Sequence, residues 1–157
     1  RVMIVHTGFI PLVYFPEWFV EKSITFWQAF LREVPEDMTL CLENVMEPSP
    51  RIPVDIVRQV ADPRLRICLD LGHANTMVSK QAPEDWLRAC APYLSHVHLH
   101  NNDGERDLHH ALNDGVMDVA ALVRLMDTLC PQVTCTLELM QCASSLAWME
   151  KEQLLEL

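Results

Sequence analysis

The chain has 157 residues, half of them hydrophobic, which is enough to bury a substantial core in one globular unit. Its formal net charge of -10 argues against a nucleic-acid partner, because proteins that bind polyanions usually present a basic surface. Charges and prolines interrupt every long apolar stretch, so none approaches the roughly 20 apolar residues that span a bilayer, and we expect no membrane partner.

The chain enters a strand-like segment directly after Arg1, without a basic leader or a small-residue cleavage site. We interpret this start as a cut rather than a natural beginning. Short apolar strand patterns then alternate with longer amphipathic helix patterns. The predicted strands are residues 2–6, 39–43, 66–70, 96–100 and 133–138, and the predicted helices are residues 17–32, 53–60, 84–91, 116–129 and a last one from 144 towards 157.

The alternation of apolar strands with helices indicates a parallel sheet buried on both faces. Five βα units are too few to close an eight-stranded barrel, which typically has about 250 residues. The chain is therefore either an open five-stranded α/β sheet or a barrel that lacks an N-terminal part of roughly 100 residues. A five-stranded remnant leaves apolar strand edges open to pairing, so a homo-oligomer is one candidate state.

The six cysteines show neither a Cys-x-x-Cys pair nor a regular spacing. Reduced, buried thiols in a cytosolic protein give this pattern more readily than a disulfide framework does. The sequence therefore predicts free cysteines and a cytoplasmic location.

The histidines are concentrated on the predicted strands and in the loops that follow them, and none falls on a predicted helix. They are His6, His73, His96, His98, His100, His109 and His110. In parallel α/β folds, active sites form at the C-terminal ends of the strands. This distribution predicts a functional site at that rim.

Strand alternation predicts which of these side chains converge, because residues two apart share a face. Glu43, Asp70, His98 and Glu138 would meet from four strands at one level. Burying several ionisable groups without compensation is costly, and a divalent cation would remove that cost. His96 and His100 share the face of His98, and we interpret them as structural residues or as supports for the ligands.

Six segments resemble the xylose isomerase-like TIM barrel superfamily, which includes sugar (phosphate) isomerases and epimerases as well as the zinc-dependent AP endonucleases of family 2. In chain order they are Val5-His6-Thr7-Gly8, Leu42-Glu43-Asn44-Val45, Cys68-Leu69-Asp70-Leu71-Gly72-His73, Val97-His98-Leu99-His100-Asn101-Asn102, Asp107-Leu108-His109 and Thr136-Leu137-Glu138. The order resembles strands four to eight of the barrel. The resemblance implies one partial TIM-barrel domain over residues 1–157, with the N-terminal part missing.

Two positions depart from the family pattern. Asn101 stands where Asp is common, and Asn113-Asp114-Gly115 stands where the family has Gly-Glu-Gly. We expect the loop after the fourth predicted strand to be shaped differently as a result.

The resemblance also implies roles for individual residues. Glu43, Asp70, His98 and Glu138 would hold one divalent ion, either Mn2+, Mg2+, Co2+ or Zn2+, and the carboxylates of Glu43 and Glu138 would act as acid and base. His73 would contact substrate, and we add Arg106, one of few cations in these loops. The candidate further metal ligands, as in the endonucleases, are His6, His73, Asp107 and His109.

Three functions follow as hypotheses. The first is a sugar (phosphate) isomerase or epimerase that acts on a small carbohydrate through an enediolate. The second is an AP endonuclease-type phosphodiesterase with clustered zinc, which the acidic balance of the chain disfavours. The third is a barrel fragment that binds metal or sugar without turnover. Simpler interpretations also exist, since an inward Glu can be a structural ion-pair member, and Asp70 before Leu-Gly can merely start a turn.

Overall fold

The computed structural model describes residues 1–155, in which five strands alternate with five α-helices. The strands are β1 (Val2–His6), β2 (Thr39–Glu43), β3 (Leu65–Asp70), β4 (Leu94–Leu99) and β5 (Thr134–Leu137). The helices are α1 (Pro16–Phe30), α2 (Arg51–Val60), α3 (Pro83–Cys90), α4 (Val119–Leu129) and α5 (Ala143–Lys151).

The strands form one sheet in the order β1-β2-β3-β4-β5, with every neighbouring pair parallel. This arrangement is a five-stranded parallel half-barrel, so the predicted α/β class and βα alternation are confirmed. Each strand is followed by a helix, as a parallel connection requires. All C-terminal strand ends therefore lie at one rim.

Several predicted boundaries were wrong by a few residues. Strand β4 ends at Leu99 rather than at 100, because the chain then pairs in an antiparallel bridge from Asn101 to His110. Helix α4 begins at Val119 rather than at 116, because the carboxylate of Asp118 accepts the Ala121 N–H at 2.9 Å and caps it. His73 lies just after strand β3, as predicted, and begins a short 3-10 turn.

The core lies between the helices and the outer face of the sheet. Along each strand, alternate residues point outward, and Leu42, Ile67, Leu69 and Val97 are completely buried there. The residues between them along each strand line the concave face, which carries Glu43, Asp70 and His98. The core therefore anchors the strands rigidly and leaves the concave rim free for polar groups.

The outer edge of strand β1 is open and apolar. Val2 and Met3 are exposed on strand β1, and Trp18, Phe26 and Phe30 are about half exposed on helix α1. The edge therefore offers a surface on which a further strand can pair.

The six cysteines are free, as predicted, although Cys135 lies exposed on strand β5 and is not buried. Within residues 1–155, no helix has both the length and the apolarity needed to cross a membrane.

Candidate metal centre

Four side chains meet at the C-terminal rim because parallel pairing aligns the strand ends. Glu43 ends strand β2, and Asp70 ends strand β3 opposite His98 of strand β4. Glu138 follows strand β5, where its N–H donates to the Leu99 carbonyl at 3.1 Å and continues the ladder. The four residues that the sequence placed on one level are thus brought together.

Their ligand atoms are close enough to share one ion. His98 Nδ1 lies 3.1 Å from Glu43 Oε1, 3.8 Å from Asp70 Oδ2 and 2.9 Å from Glu138 Oε2. One atom from each of the four lies within 4.8 Å of all the others. Tetrahedral ligands at about 2.1 Å from zinc are separated by about 3.4 Å, so the observed spacing fits a metal centre.

Two buried oxygens of this group have no hydrogen-bond partner among residues 1–155, namely Asp70 Oδ2 and Glu138 Oε2. The close approach of Glu138 Oε2 to His98 lacks the angle of a hydrogen bond. A buried polar atom without a partner costs roughly 1–3 kcal/mol, and more when it is charged. A divalent cation bound between the two oxygens would satisfy both.

Opposing influences set the charge states of the group. Burial acts to raise the pKa of Asp70, but a hydrogen bond from His100 and the nearby His73 outweigh it, and the pKa is lowered. Burial acts to lower the pKa of His98, but the hydrogen bond to Glu43 outweighs it, and the pKa is raised. These contacts stabilise the ionised form of Asp70 and the protonated form of His98, so protons compete with a metal ion for His98 as the pH falls.

The thiols below the group are not ligands. Burial raises the pKa of Cys41 to about 11 and raises that of Cys68 further. Both side chains are completely buried and stay protonated at neutral pH. They form a neutral floor under the carboxylates.

A second group of potential ligands adjoins the first: His73, His100, Asp107 and His109. Asp107 Oδ2 lies 3.2 Å from His73 Nε2, and Asp107 Oδ1 lies 3.1 Å from His109 Nε2. The sequence interpretation named three of these residues and took His100 for a support. His100 joins this group because its Nε2 lies 3.7 Å from Asp107 Oδ1.

The candidate ligand His6 belongs to neither group of potential ligands but lies beside the first. Its side chain is 66% exposed, and its Nε2 lies 3.6 Å from Glu43 Oε2. Arg106, the candidate substrate contact, is exposed and forms two hydrogen bonds to the Asp103 carboxylate, at 2.9 and 2.7 Å. His6 therefore borders the first group at the Glu43 carboxylate, whereas Arg106 is engaged by Asp103.

His73 is held in a defined orientation. Its Nδ1 lies 2.8 Å from the Asn44 carbonyl oxygen and therefore donates to it, which leaves Nε2 facing Asp107. Burial acts to lower the pKa of His73, but the carboxylates of Asp70 and Asp107 outweigh it and raise the pKa. Sequence reasoning missed the role of Asn44, whose side-chain amide bonds both the N–H and the carbonyl of Asp70 across the two strands.

The two remaining histidines, His96 and His110, have partners outside both groups of potential ligands. His96 bonds the hydroxyls of Thr134 and Thr136 at 2.7 and 2.8 Å, which agrees with a structural role. His110 is partly exposed, and its nearest acidic partner is Asp114 at 3.9 Å.

Asn101 explains the shape of the loop after strand β4. Its amide donates to the carbonyls of Leu112 and Met117, and its Oδ1 accepts the Met117 N–H. An ionised Asp could not donate these bonds. A Cβ on Gly115 would lie 2.3 Å from Asn101 Oδ1, so glycine is required beside it.

Glu47 is a buried carboxyl that sequence reasoning also missed. It is 3% exposed. Its carboxylate accepts hydrogen bonds from the backbone N–H groups of Val45 and Met46 and from the hydroxyl of Thr7. In the sequence it looks like a loop acid before a proline, and no local pattern indicates its burial.

Comparison with known proteins gives the following relatives. The profile of the family described as "Xylose isomerase-like TIM barrel" matches residues 1–152. The uncharacterized protein MJ1311 of Methanocaldococcus jannaschii is 27% identical over 125 residues, which cover 73% of this chain and 42% of that protein.

Solved structures show the same architecture. A D-tagatose 3-epimerase-like protein superposes with a TM-score of 0.76 at 22% identity, covering 98% of this chain and 62% of the other. The TTHB071 protein from Thermus thermophilus, in crystals soaked with ZnCl2, superposes with a TM-score of 0.70 at 26% identity, covering 96% and 60%. The chain thus spans about three fifths of these structures and less than half of the Methanocaldococcus relative.

Proposed function

Since this chain belongs to the xylose isomerase-like TIM barrel family, we propose that it supplies the metal-binding C-terminal half of a sugar (phosphate) isomerase or epimerase. Residues 1–157 would form one partial domain, equivalent to strands four to eight of the barrel. The parallel half-barrel, its open β1 edge and the coverage of about three fifths of the solved structures support this proposal. A small carbohydrate is the proposed substrate.

The observation that carries the proposal is the convergence of three carboxylates and one imidazole with two unpartnered buried oxygens. Glu43, Asp70, His98 and Glu138 would hold a divalent ion. Such an ion, when bound, polarises the carbonyl and neighbouring hydroxyl oxygens of a sugar as a Lewis acid. Mn2+, Mg2+, Co2+ and Zn2+ all accept these ligands, and the zinc soak of the Thermus protein makes zinc a reasonable first choice.

The two glutamates differ in a way that suits proton transfer. The Glu43 side chain is 5% exposed, whereas that of Glu138 is 42% exposed at the open side of the rim. In the proposed step, one carboxylate removes a proton from the carbon beside the carbonyl, and the electron pair moves into an enediolate of the sugar. Return of a proton by the other carboxylate to the adjacent carbon or the opposite face completes isomerisation or epimerisation.

Two further residues are proposed to bind the sugar. His73 Nε2 faces the space beside Asp107 and would orient a substrate hydroxyl. Arg106 would have to release the Asp103 carboxylate before it could contact substrate. His73 is therefore the stronger candidate of the two.

Deuterium exchange tests the mechanism directly. The full-length protein, loaded with Mn2+ or Zn2+, is incubated in D2O with a panel of keto and aldo sugars, and label at the carbon beside the carbonyl is followed by NMR. Glu138→Gln should lose exchange by at least about 100-fold, as loss of a general acid–base group does. Glu150→Gln, an exposed change on helix α5, is the control. Unchanged exchange in Glu138→Gln would remove the assigned role.

A metal-dependent phosphodiesterase of the AP endonuclease type is the second candidate. The adjacent group of His73, His100, Asp107 and His109 favours it, because phosphodiester hydrolysis commonly uses neighbouring ions. The net charge of -10 stands against it. Three zinc ions per chain together with salt-sensitive binding to abasic-site DNA would establish the nuclease and overturn the isomerase. One bound ion without exchange on any sugar would instead indicate a non-catalytic barrel.

Location and assembly remain predictions. We propose a cytoplasmic protein, and the open β1 edge makes self-association of this segment a reasonable expectation. Sedimentation of the full-length protein measures the oligomeric state.

A further inference from the structure

His100 is completely buried beside the candidate metal centre and takes no part in the proposed reaction. Its Nε2 lies 3.0 Å from Asp70 Oδ1, within hydrogen-bond distance. Because an ionised carboxylate only accepts hydrogen bonds, Nε2 carries the proton and donates it. The backbone N–H of His73 donates to the same oxygen at 2.6 Å.

Both donors bond the same oxygen of Asp70, so the two oxygens of its carboxylate are in different environments. Oδ1 has both hydrogen bonds, whereas Oδ2 is buried without a partner and lies 3.8 Å from His98 Nδ1. We propose that His100 is a positioning residue, which holds the Asp70 carboxylate so that Oδ2 faces the bound ion. The inference rests on the proposed metal centre and assigns a residue that the reaction itself does not require.

The ring of His100 packs directly against Gly72. Nδ1 is buried without a hydrogen-bond partner. The edge of the ring that carries both nitrogens faces Gly72, where an added Cβ would lie 1.9 Å from Cε1 and 2.3 Å from Nδ1. Glycine at position 72 makes room for the ring, which keeps Nε2 against Asp70 Oδ1.

The same ring also supports the segment that carries Glu138. It stacks on the ring of His109 with centroids 3.9 Å apart and planes 11° apart. His109 Nδ1 in turn bonds the main-chain carbonyl of Glu138 at 2.8 Å. The two unpartnered oxygens of the metal centre therefore belong to residues that this pair of rings holds in place.

Two amide variants of His100 distinguish the hydrogen bond to Asp70 from the space that the imidazole ring fills. In His100→Gln the side-chain amide nitrogen can take the place of Nε2 and donate to Asp70 Oδ1, whereas in His100→Asn the same amide is one methylene shorter and falls short of it. The control is His110→Gln, at a partly exposed ring of the same loop. Affinity for Co2+ is measured by titration of the full-length protein, together with ion stoichiometry and the visible absorption of bound Co2+.

We expect His100→Asn to bind Co2+ about 10 to 100 times more weakly, the range typical of lost partners of metal ligands. Its stoichiometry should be unchanged and its Co2+ absorption altered. His100→Gln should recover most of the affinity, and His110→Gln should match the wild type. Thermal unfolding without the ion checks that the two His100 variants are folded alike.

Three results would overturn the inference. Equal affinity of the wild type and His100→Asn would show that Asp70 needs no such support. Loss of one whole ion, with the remaining affinity intact, would make His100 a ligand of a second ion. Absence of Co2+ binding in the wild type would remove the metal centre itself, and with it both the proposed function and the inference.

Discussion

Glu47 provides a quantitative test of the structure, because it is a carboxyl buried between two rim loops. Burial raises its pKa to about 7 from an ordinary value of 4.5, although the N–H groups of Val45 and Met46 act to lower it. The folded protein therefore binds this proton more tightly than the unfolded chain does. The stability that the neutral carboxyl contributes is complete below about pH 4.5 and is lost as pH rises through about 7.

The size of the effect follows from the two pKa values. A difference of about 2.5 at 1.36 kcal/mol for each unit corresponds to about 3 kcal/mol. The variant Glu47→Gln keeps an acceptor for the two N–H groups but cannot ionise. We expect it to match the wild type at pH 4.5 and to exceed its free energy of unfolding by about 3 kcal/mol at pH 8.

Urea unfolding, followed by circular dichroism at four pH values between 4.5 and 8, measures this difference. A chelator keeps both proteins free of metal, so that titration of the metal centre is common to them. Glu33→Gln, an exposed change in the turn after helix α1, is the control and should show no such trend. A gap between Glu47→Gln and the wild type that stays constant with pH would refute the burial of an ionisable Glu47.

Four further outcomes are expected. Mn2+ at 100 times its dissociation constant should raise the free energy of unfolding by about 2.7 kcal/mol. The gain should be smaller at pH 5, because protonated His98 competes with the ion. In a thermal shift assay, Asp70→Asn should lose the stabilisation by Mn2+. Gly72→Ala should cost about 3 kcal/mol in urea unfolding, because its Cβ would meet the His100 ring at 1.9 Å. Gly8→Ala, at a φ of +80° with open space around it, should cost only about 1 kcal/mol. Leu69→Ala should also cost about 3 kcal/mol in urea unfolding, since Leu69 is 0% exposed. A smaller loss of stability in Gly72→Ala or in Leu69→Ala would contradict the packing described above.

The strands and the four rim residues could be predicted because their signals are local. A buried parallel strand is apolar along its length, and the pleat repeats every two residues, so Glu43 can be placed on the face of Cys41 from the sequence alone. The strand ends of a parallel sheet share one rim, which brings Asp70 and His98 together without knowledge of the coordinates. Boundaries near Leu99 and Val119 were less certain, because a bridge and a capping side chain, not hydrophobicity, end or begin those elements.

Individual contacts could not be predicted in this way. The period of two placed His100 on the face of His98, but its hydrogen bond to Asp70 joins segments 30 residues apart and follows only from the fold. Arg106 looked free to bind substrate, but Asp103, three residues earlier, engages it. His6 carries the expected motif and still lies apart from the second group of ligands, because the open β1 edge leaves it exposed.

The amino-acid sequence by itself determined the order of strands and helices, the parallel α/β class and the kinds of side chain that face the rim. These depend on hydrophobic periodicity and on the pleat, which act over a few residues. Only the tertiary structure decided which oxygen of Asp70 is left for an ion, which histidine supports it and why Glu47 holds its proton. Those properties arise from burial and from partners tens of residues away, which no local pattern encodes.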